Sequence, residues 1–262
     1  MRKTNENRMD MVLGLSSERD RHLSESLSAL AEKRSFEEIA QCFPAYIRRI
    51  NLTRFLAYYE LFKKIEAVPG WIVECGIYRG FSLFSLAKFL EIFCMGDKTR
   101  KVLGFDNFSG FTDLREEDGP EDRSVTRNKG GTNPGNFRDD FFELLKLNNQ
   151  DAFAPWAKRI SVVEGNVQET VPKYCEENPG LRISFLNLDI DLYEPVCTCL
   201  EHLYPRVVPG GLVVLDEFAH KDWPGESKAV EDAFLRNGWK IPAFKTLTWV
   251  GTPTTYFIKE AF

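Results

Sequence analysis

The sequence has no basic tract, no apolar run long enough to cross a membrane, no paired-cysteine motif and no internal repeat. Each absence excludes a class of function. Phosphate backbones are bound by clustered Lys and Arg, and this chain carries a formal net charge of −5. Nucleic acid is therefore not an expected partner. A spanning helix needs about 20 consecutive apolar residues, so no membrane role is expected. The six cysteines, Cys42, Cys75, Cys94, Cys175, Cys197 and Cys199, form neither a CxxC pair nor a zinc-ligand pattern. Most sit in apolar runs and read as buried free thiols. Residues 1–10 are polar and of mixed charge, without the apolar core of a signal peptide. A reducing, cytoplasmic setting is the expectation.

What is present is an ordinary globular composition, 43% hydrophobic and 28% charged, with an aromatic-rich core promised by 21 phenylalanines. The chain of 262 residues is long for one domain, but a sheet with helices on both faces can absorb it. Residues 1–35 read as a charged, mobile tail running into a helix. Further helices are expected over Ser35–Cys42 and Asn51–Ala67, the latter capped by Asn51 or Thr53 and ended by Pro69-Gly70. From Trp71 onward short apolar runs alternate with helical segments. Strands are expected at Trp71–Cys75, Lys101–Phe105, Ile160–Glu164, Ile183–Asp189 and Gly211–Leu215, and a final pair near Lys240–Leu247 and Thr254–Lys259. The helices between them are Ser82–Phe93, Asn136–Leu147, Gln168–Glu177, Glu194–Tyr204 and Lys228–Asn237. This rhythm predicts an α/β fold with a mostly parallel sheet covered on both faces. Ligands of such sheets bind beyond the carboxyl ends of the strands, so chemistry is sought there.

The first strand ends in Glu74-Cys75-Gly76, followed by Tyr78, Gly80 and Ser82. Gly76 permits a sharp turn and close approach of a ligand, and Glu74 suits a cationic group. Only Gly76 and Gly80 are present, so the three-glycine dinucleotide fingerprint is missing and a nicotinamide oxidoreductase is disfavoured. Asp106, at the end of the second strand, is placed either to accept ribose hydroxyls or to cap a turn. Asn166, after the third, is placed either at an adenine edge or in a Gly-Asn turn. The fourth strand runs into Asp189-Ile190-Asp191-Leu192-Tyr193-Glu194, and the fifth into Asp216-Glu217. In a parallel sheet these ends are neighbours. Carboxylates converging at apolar strand ends repel unless a cation lies among them, and oxygen-only ligands select Mg²⁺, with Mn²⁺ or Ca²⁺ also suited. Asp191 and Glu194 are open to a second reading as helix caps or ion-pair partners. His220, in the loop beyond, reads as a base, a substrate contact or a plain loop residue.

In this order the segments Pro69 to Gly76, Asp106-Asn107-Phe108-Ser109-Gly110-Phe111, Leu188 to Pro195, His202 to Arg206, and Pro209-Gly210-Gly211 through Glu217 resemble the macrocin O-methyltransferase family. The likeness covers residues 50–240. It implies a class I methyltransferase (Rossmann-like) fold with a seven-stranded sheet, S-adenosylmethionine as cofactor, and a Mg²⁺ that grips adjacent sugar hydroxyls. Matched position by position, it implies that Asp189, Asp216 and Glu217 hold the metal and that Asp191 is the general base; Asp189 and, from its place in the loop, His220 are further catalytic candidates. It implies that Glu74, Gly76, Ser82, Asp106 and Asn166 hold the cofactor, with Cys75, Tyr78, Asn107, Phe108, Gly165, Val167 and Asp189 in the same site. The chain departs from the family pattern at Glu217, where Asp is commoner, and at Asn166, where Asp is frequent. A bound cation would lower the pKa of an acceptor hydroxyl and a carboxylate would take its proton.

Two domains are expected: an N-terminal helical extension over 1–68, completing the pocket or contacting a second copy in a homo-oligomer, and a catalytic domain over 69–262. Residues 112–135, with six acids, three arginines and no apolar periodicity, read as a lid. A sugar-containing small molecule is the expected substrate. A catechol-like phenol acceptor, or a cofactor-binding protein without catalysis, are the rival readings.

Overall fold

The computed structural model describes residues 17–123, 126–253 and 255–261; most of the expected polar tail, residues 1–16, lies outside them. The chain divides into two compact units, Met1–Leu52 and Thr53–Phe262. The first unit contains helices α1 (Ser17–Ala31), α2 (Phe36–Gln41) and α3 (Phe43–Tyr46). A reciprocal capping box explains the start of α2: Glu38 N–H donates to Ser35 Oγ, and Ser35 N–H to Glu38 Oε2. Helix α4 (Arg49–Lys63) begins before Asn51 and Thr53, so neither residue caps it. From Thr53 onward α4 belongs to the second unit, where Tyr58, Leu61 and Phe62 are buried in its core.

Among the described residues of the second unit a seven-stranded sheet forms. Its strands are β1 (Trp71–Cys75), β2 (Val102–Asp106), β3 (Ile160–Glu164), β4 (Ile183–Leu188), β5 (Val207–Leu215), β6 (Lys245–Thr246) and β7 (Thr255–Ile258). The order is β3-β2-β1-β4-β5-β7-β6. The first five are parallel; β7 runs antiparallel to both β5 and β6. The expected strand near Lys240–Leu247 shrinks to two residues. Pro242 has no N–H to give to a ladder, and the stretch before Lys245 stays irregular. The linking helices are α5 (Phe81–Phe93), α6 (Phe137–Gln150), α7 (Val167–Glu177), α8 (Tyr193–Leu203) and α9 (Pro224–Arg236). Helix α9 starts four residues before the expected Lys228 because Pro224 occupies its first turn, where a missing N–H is harmless.

The core has two layers, one on each face of the sheet. Val73, Cys75, Leu103, Phe105, Leu186, Leu188, Val213 and Leu215 face one layer, with residues of α7, α8 and α9. Ile72, Val102, Phe185, Leu212 and Val214 face the other, with residues of α4, α5 and α6. Side chains alternate along a strand, so Glu74 and Asn187 fall on the second face. Strand order reverses between β1 and β4, and the crevice beyond their carboxyl ends is the topological switch point.

Candidate active site

A cavity of about 540 Å³ opens at that switch point. Gly76, Tyr78, Ser82, Asp106, Asn107, Gly165, Asn166, Val167, Asp189, Asp191, Asp216 and Glu217 line it. Glu74, Cys75 and Phe108 do not. The period of β1 turns the Cys75 side chain into the first core layer, and Phe108 packs against Phe141 and Phe142 in the second. His220 does not line the cavity either: it is exposed in the loop after β5, with Nδ1 3.7 Å from Glu217 Oε2.

The cleft above β1 is built by a glycine turn and an aspartate. Gly76 has φ +90°, and a Cβ there would collide with the carbonyl oxygen of Asp189. Only glycine lets the ends of β1 and β4 lie this close. Asp106 clamps the turn: its Oδ2 accepts from Ile77 N (2.6 Å) and Tyr78 N (2.8 Å), and its Oδ1 from Phe108 N (2.6 Å). Its first task is thus structural, although it still borders the cavity. Asn166 resolves similarly. It is the N-cap of α7, its Oδ1 accepting from Gln168 N at 3.1 Å. Glu74 is 0% exposed and lies beneath the cleft. Its Oε1 accepts from Ser82 Oγ and from Asn187 Nδ2 (3.3 Å), while its Oε2 is buried without a partner. Burial pushes its pKa up to about 8, against the hydrogen bond from Ser82.

The acidic cluster stands at the other end of the same cavity. Leu188 of β4 pairs with Leu215 of β5, and Asp216 N donates to Leu188 O at 3.1 Å. Asp189 and Asp216 therefore emerge side by side, as parallel strand ends require. Asp191 has φ +56° and is spanned by a 2.5 Å bond from Leu192 N to Ile190 O, a γ-turn that holds its carboxylate at the cavity wall. Asp216 is 4% exposed. Burial raises the pKa of Asp189, and raises those of Asp191 and Asp216 well above the carboxylate range, with the charge on Asp189 adding to both. Burial, then Asp189, pushes Glu217 up to about 7. Behind them Glu226 is fully buried; its Oε1 accepts from Glu217 N at 3.2 Å, and burial raises its pKa well above normal.

The cation demanded by these charges includes one that the sequence reading missed. Arg54 of α4 reaches into the cavity, its Nη2 2.9 Å from Asp189 Oδ2 and 3.9 Å from Asp216 Oδ1. Burial opposes its charge, but Tyr58, Asp189 and Asp216 hold its pKa up. A signal was available. Arg54, Tyr58, Leu61 and Ile65 recur at the spacing of one helical face, and the last three are buried. Arg54 does not neutralise the cluster: Asp216 Oδ1 and Glu217 Oε2 remain buried without hydrogen-bond partners. The donor set, all carboxylate oxygen with buried unpartnered atoms, fits a hard divalent ion. Even so, no group of three or more His, Cys, Asp or Glu stands at metal-ligand spacing among the described residues.

The cavity's outer wall comes from the segment after β2. Asp118, in a short 3₁₀ turn (Glu116–Asp118), is buried and accepts from Arg115 N and Tyr193 N, both at 2.7 Å. Arg127 is also buried, bonded to Pro120 O (3.0 Å) and to Asp222 O. These two charged residues fasten the segment to α8 and to the loop after β5. Thr112, Thr126 and Thr132 then line the cavity, beside Phe111, whose ring is tilted against Trp223 with centroids 5.4 Å apart.

A sequence profile of the macrocin O-methyltransferase (TylF) family matches residues 52–259. The chain belongs to the macrocin O-methyltransferase family. It is 30% identical over 158 residues to the 8-demethyl-8-(2,3-dimethoxy-alpha-L-rhamnosyl)-tetracenomycin-C 4'-O-methyltransferase of Streptomyces olivaceus, a match covering 59% of this chain and 55% of that one. It is 26% identical over 159 residues to the mycinamicin III 3''-O-methyltransferase of Micromonospora griseorubida, covering 58% and 57%. The chain thus matches about half the length of these curated relatives. The crystal structure of the calicheamicin methyltransferase CalS11 superposes with a TM-score of 0.81 at 29% identity, covering 92% of both chains. The methyltransferase NovP shares the fold, with a TM-score of 0.59 at 21% identity over 80% of each chain. The fold is that of the class I O-methyltransferases.

Proposed function

We propose that this protein is an S-adenosylmethionine-dependent O-methyltransferase that methylates a sugar hydroxyl of a natural product or nucleotide-linked sugar, aided by a divalent cation, Mg²⁺ before others. The observation that carries this reading is the single cavity that joins the glycine turn of β1 to the acidic ends of β4 and β5. A relative named for a rhamnosyl tetracenomycin, and an apo structure of CalS11 described as a TDP-rhamnose 3'-O-methyltransferase with a TM-score of 0.74 at 27% identity, favour a sugar over a phenol.

When bound, the cofactor supplies an already activated methyl group and the cation supplies positive charge beside an acceptor oxygen. The chain's own residues do the rest. Glu74 and Ser82 present a buried carboxyl and hydroxyl beneath the cleft, the carboxyl ionising as an amino group arrives, and Gly76 admits the ligand to the main chain. Gly165, Asn166 and Val167 form the far wall, as expected for an adenine edge. Asp189, Asp216 and Glu217 are the residues that would hold the cation. Asp191 accepts the acceptor hydroxyl's proton at its carboxylate, and the threonine-lined segment over 112–135 keeps water out as a lid.

The test is methyl transfer to a panel of glycosylated natural products, nucleotide-sugars and catechols, followed by mass. Labelling of a sugar oxygen, lost with EDTA, supports the reading; transfer to catechols alone, or to nothing, overturns it. Asp191→Asn is expected to lower kcat by about 10²- to 10⁴-fold while leaving S-adenosylhomocysteine binding intact by calorimetry.

A further inference from the structure

We propose that Arg54 and the divalent ion compete for one position: the guanidinium is the cation the acidic cluster holds without metal, and the ion binds by displacing it from Asp189. This rests on the metal reading above. Arg54 Nη2 takes Asp189 Oδ2 at 2.9 Å and lies 3.9 Å from Asp216 Oδ1. It stands between the two acids that the strand register places side by side. A second cation drawn to the same pair would meet the guanidinium at close range, where like charges repel strongly in a low-dielectric site.

Three further observations fit displacement. With Arg54 in place, no group of three or more His, Cys, Asp or Glu that could hold a metal ion stands among the described residues, as expected if the ion must displace the guanidinium first. The single charge of Arg54 leaves Asp216 Oδ1 and Glu217 Oε2 buried without hydrogen-bond partners, so an ion of higher charge has more to gain. Arg54 also has somewhere to go. Its side chain is 34% exposed, and its guanidinium carbon lies 5.6 Å from the centroid of the Phe81 ring, itself at the surface. Released from Asp189, the guanidinium would still have the Phe81 ring beside it, an aromatic contact that cations favour. A guanidinium that takes this place whenever the ion is absent would explain how so many carboxylates stay folded without metal.

The experiment is Mn²⁺ binding to the full chain, by electron paramagnetic resonance and calorimetry, in the native protein and in Arg54→Gln. The variant is expected to bind Mn²⁺ more tightly, on the order of tenfold or more. Its metal-free form is expected to melt earlier than the native protein and to recover with Mn²⁺. Equal or weaker affinity in the variant overturns the competition alone. No Mn²⁺ binding to either protein overturns the metal reading and the competition with it. If Arg54→Gln does not fold without metal, Arg54→Met, also uncharged, replaces it: tighter Mn²⁺ binding than native supports the competition, unchanged or weaker binding overturns it.

Discussion

Glu74 shows how one buried side chain ties a ligand to protons. Its carboxyl sits fully buried with one oxygen unpartnered, and its pKa is raised to about 8 from an ordinary 4.5. Between those two values an unfolded chain ionises this group while the native chain keeps it protonated. Its contribution to stability therefore falls as pH rises through that window and is level above it. A cationic amino group arriving beside it favours the carboxylate. Binding of S-adenosylhomocysteine at pH 7 is expected to release a proton from Glu74, seen as a binding enthalpy that varies with the ionisation enthalpy of the buffer. Glu74→Gln should remove that dependence. At this scale the sequence was partly legible. Asp189 and Asp216 announced themselves because acids at the ends of apolar strands have few uses. Asp106 and Asn166 were found but their first duties, holding a turn and capping a helix, look the same in sequence as ligand contacts. Cys75 and Phe108 adjoin site residues in the chain, but the alternation of β1 sends Cys75 into the core and the turn after β2 sends Phe108 against Phe141 and Phe142. His220 stands in a loop whose path no periodicity dictates.

Among the elements, the segment between β2 and α6 departs furthest from what composition implies. Its acids and arginines read as solvated, yet Asp118 and Arg127 are buried and act as its fasteners. Asp118 serves two main-chain donors, one of them the first N–H of α8, and Gly225 at the start of α9 leaves the space its carboxylate fills. Gly225→Ala would push a methyl into Asp118 Oδ1. It is expected to cost about 1–3 kcal/mol in urea titration and to speed proteolytic cutting within 112–135. Unchanged cutting would show that the segment is held by something other than Asp118. The element boundaries that sequence reading shifted, at α4, α9 and β6, are those where a local cue competed with tertiary pairing. Asn51 and Thr53 resemble caps but lie inside α4, because the apolar stripe from Tyr58 to Ile65 binds the helix to the sheet whatever its first turn contains.

Across the whole molecule the sheet is the shared wall of both core layers. Phe185 and Leu186, adjacent on β4, are both fully buried and face opposite sides. Phe185→Ala and Leu186→Ala are each expected to destabilise by about 2–5 kcal/mol and to move the same unfolding transition by circular dichroism and by fluorescence. Separate transitions would mean that the layers melt independently. The fold was legible at this scale because alternating strands and helices admit few arrangements. The place of β7 between β5 and β6 was not legible, since a late antiparallel strand can add at either edge or insert, and nothing local decides between them.

The contact between Gly76 and the Asp189 carbonyl, reinforced by the bond from Asp189 N to Cys75 O at 2.9 Å, joins the two halves of the cavity through main chain alone. The spacing from the glycine turn to the acids is therefore independent of any replaceable side chain. Thr112, Thr132 and Trp223 on the outer wall can be exchanged without retuning that distance. A scaffold arranged this way can diversify its clientele while keeping its working gap constant.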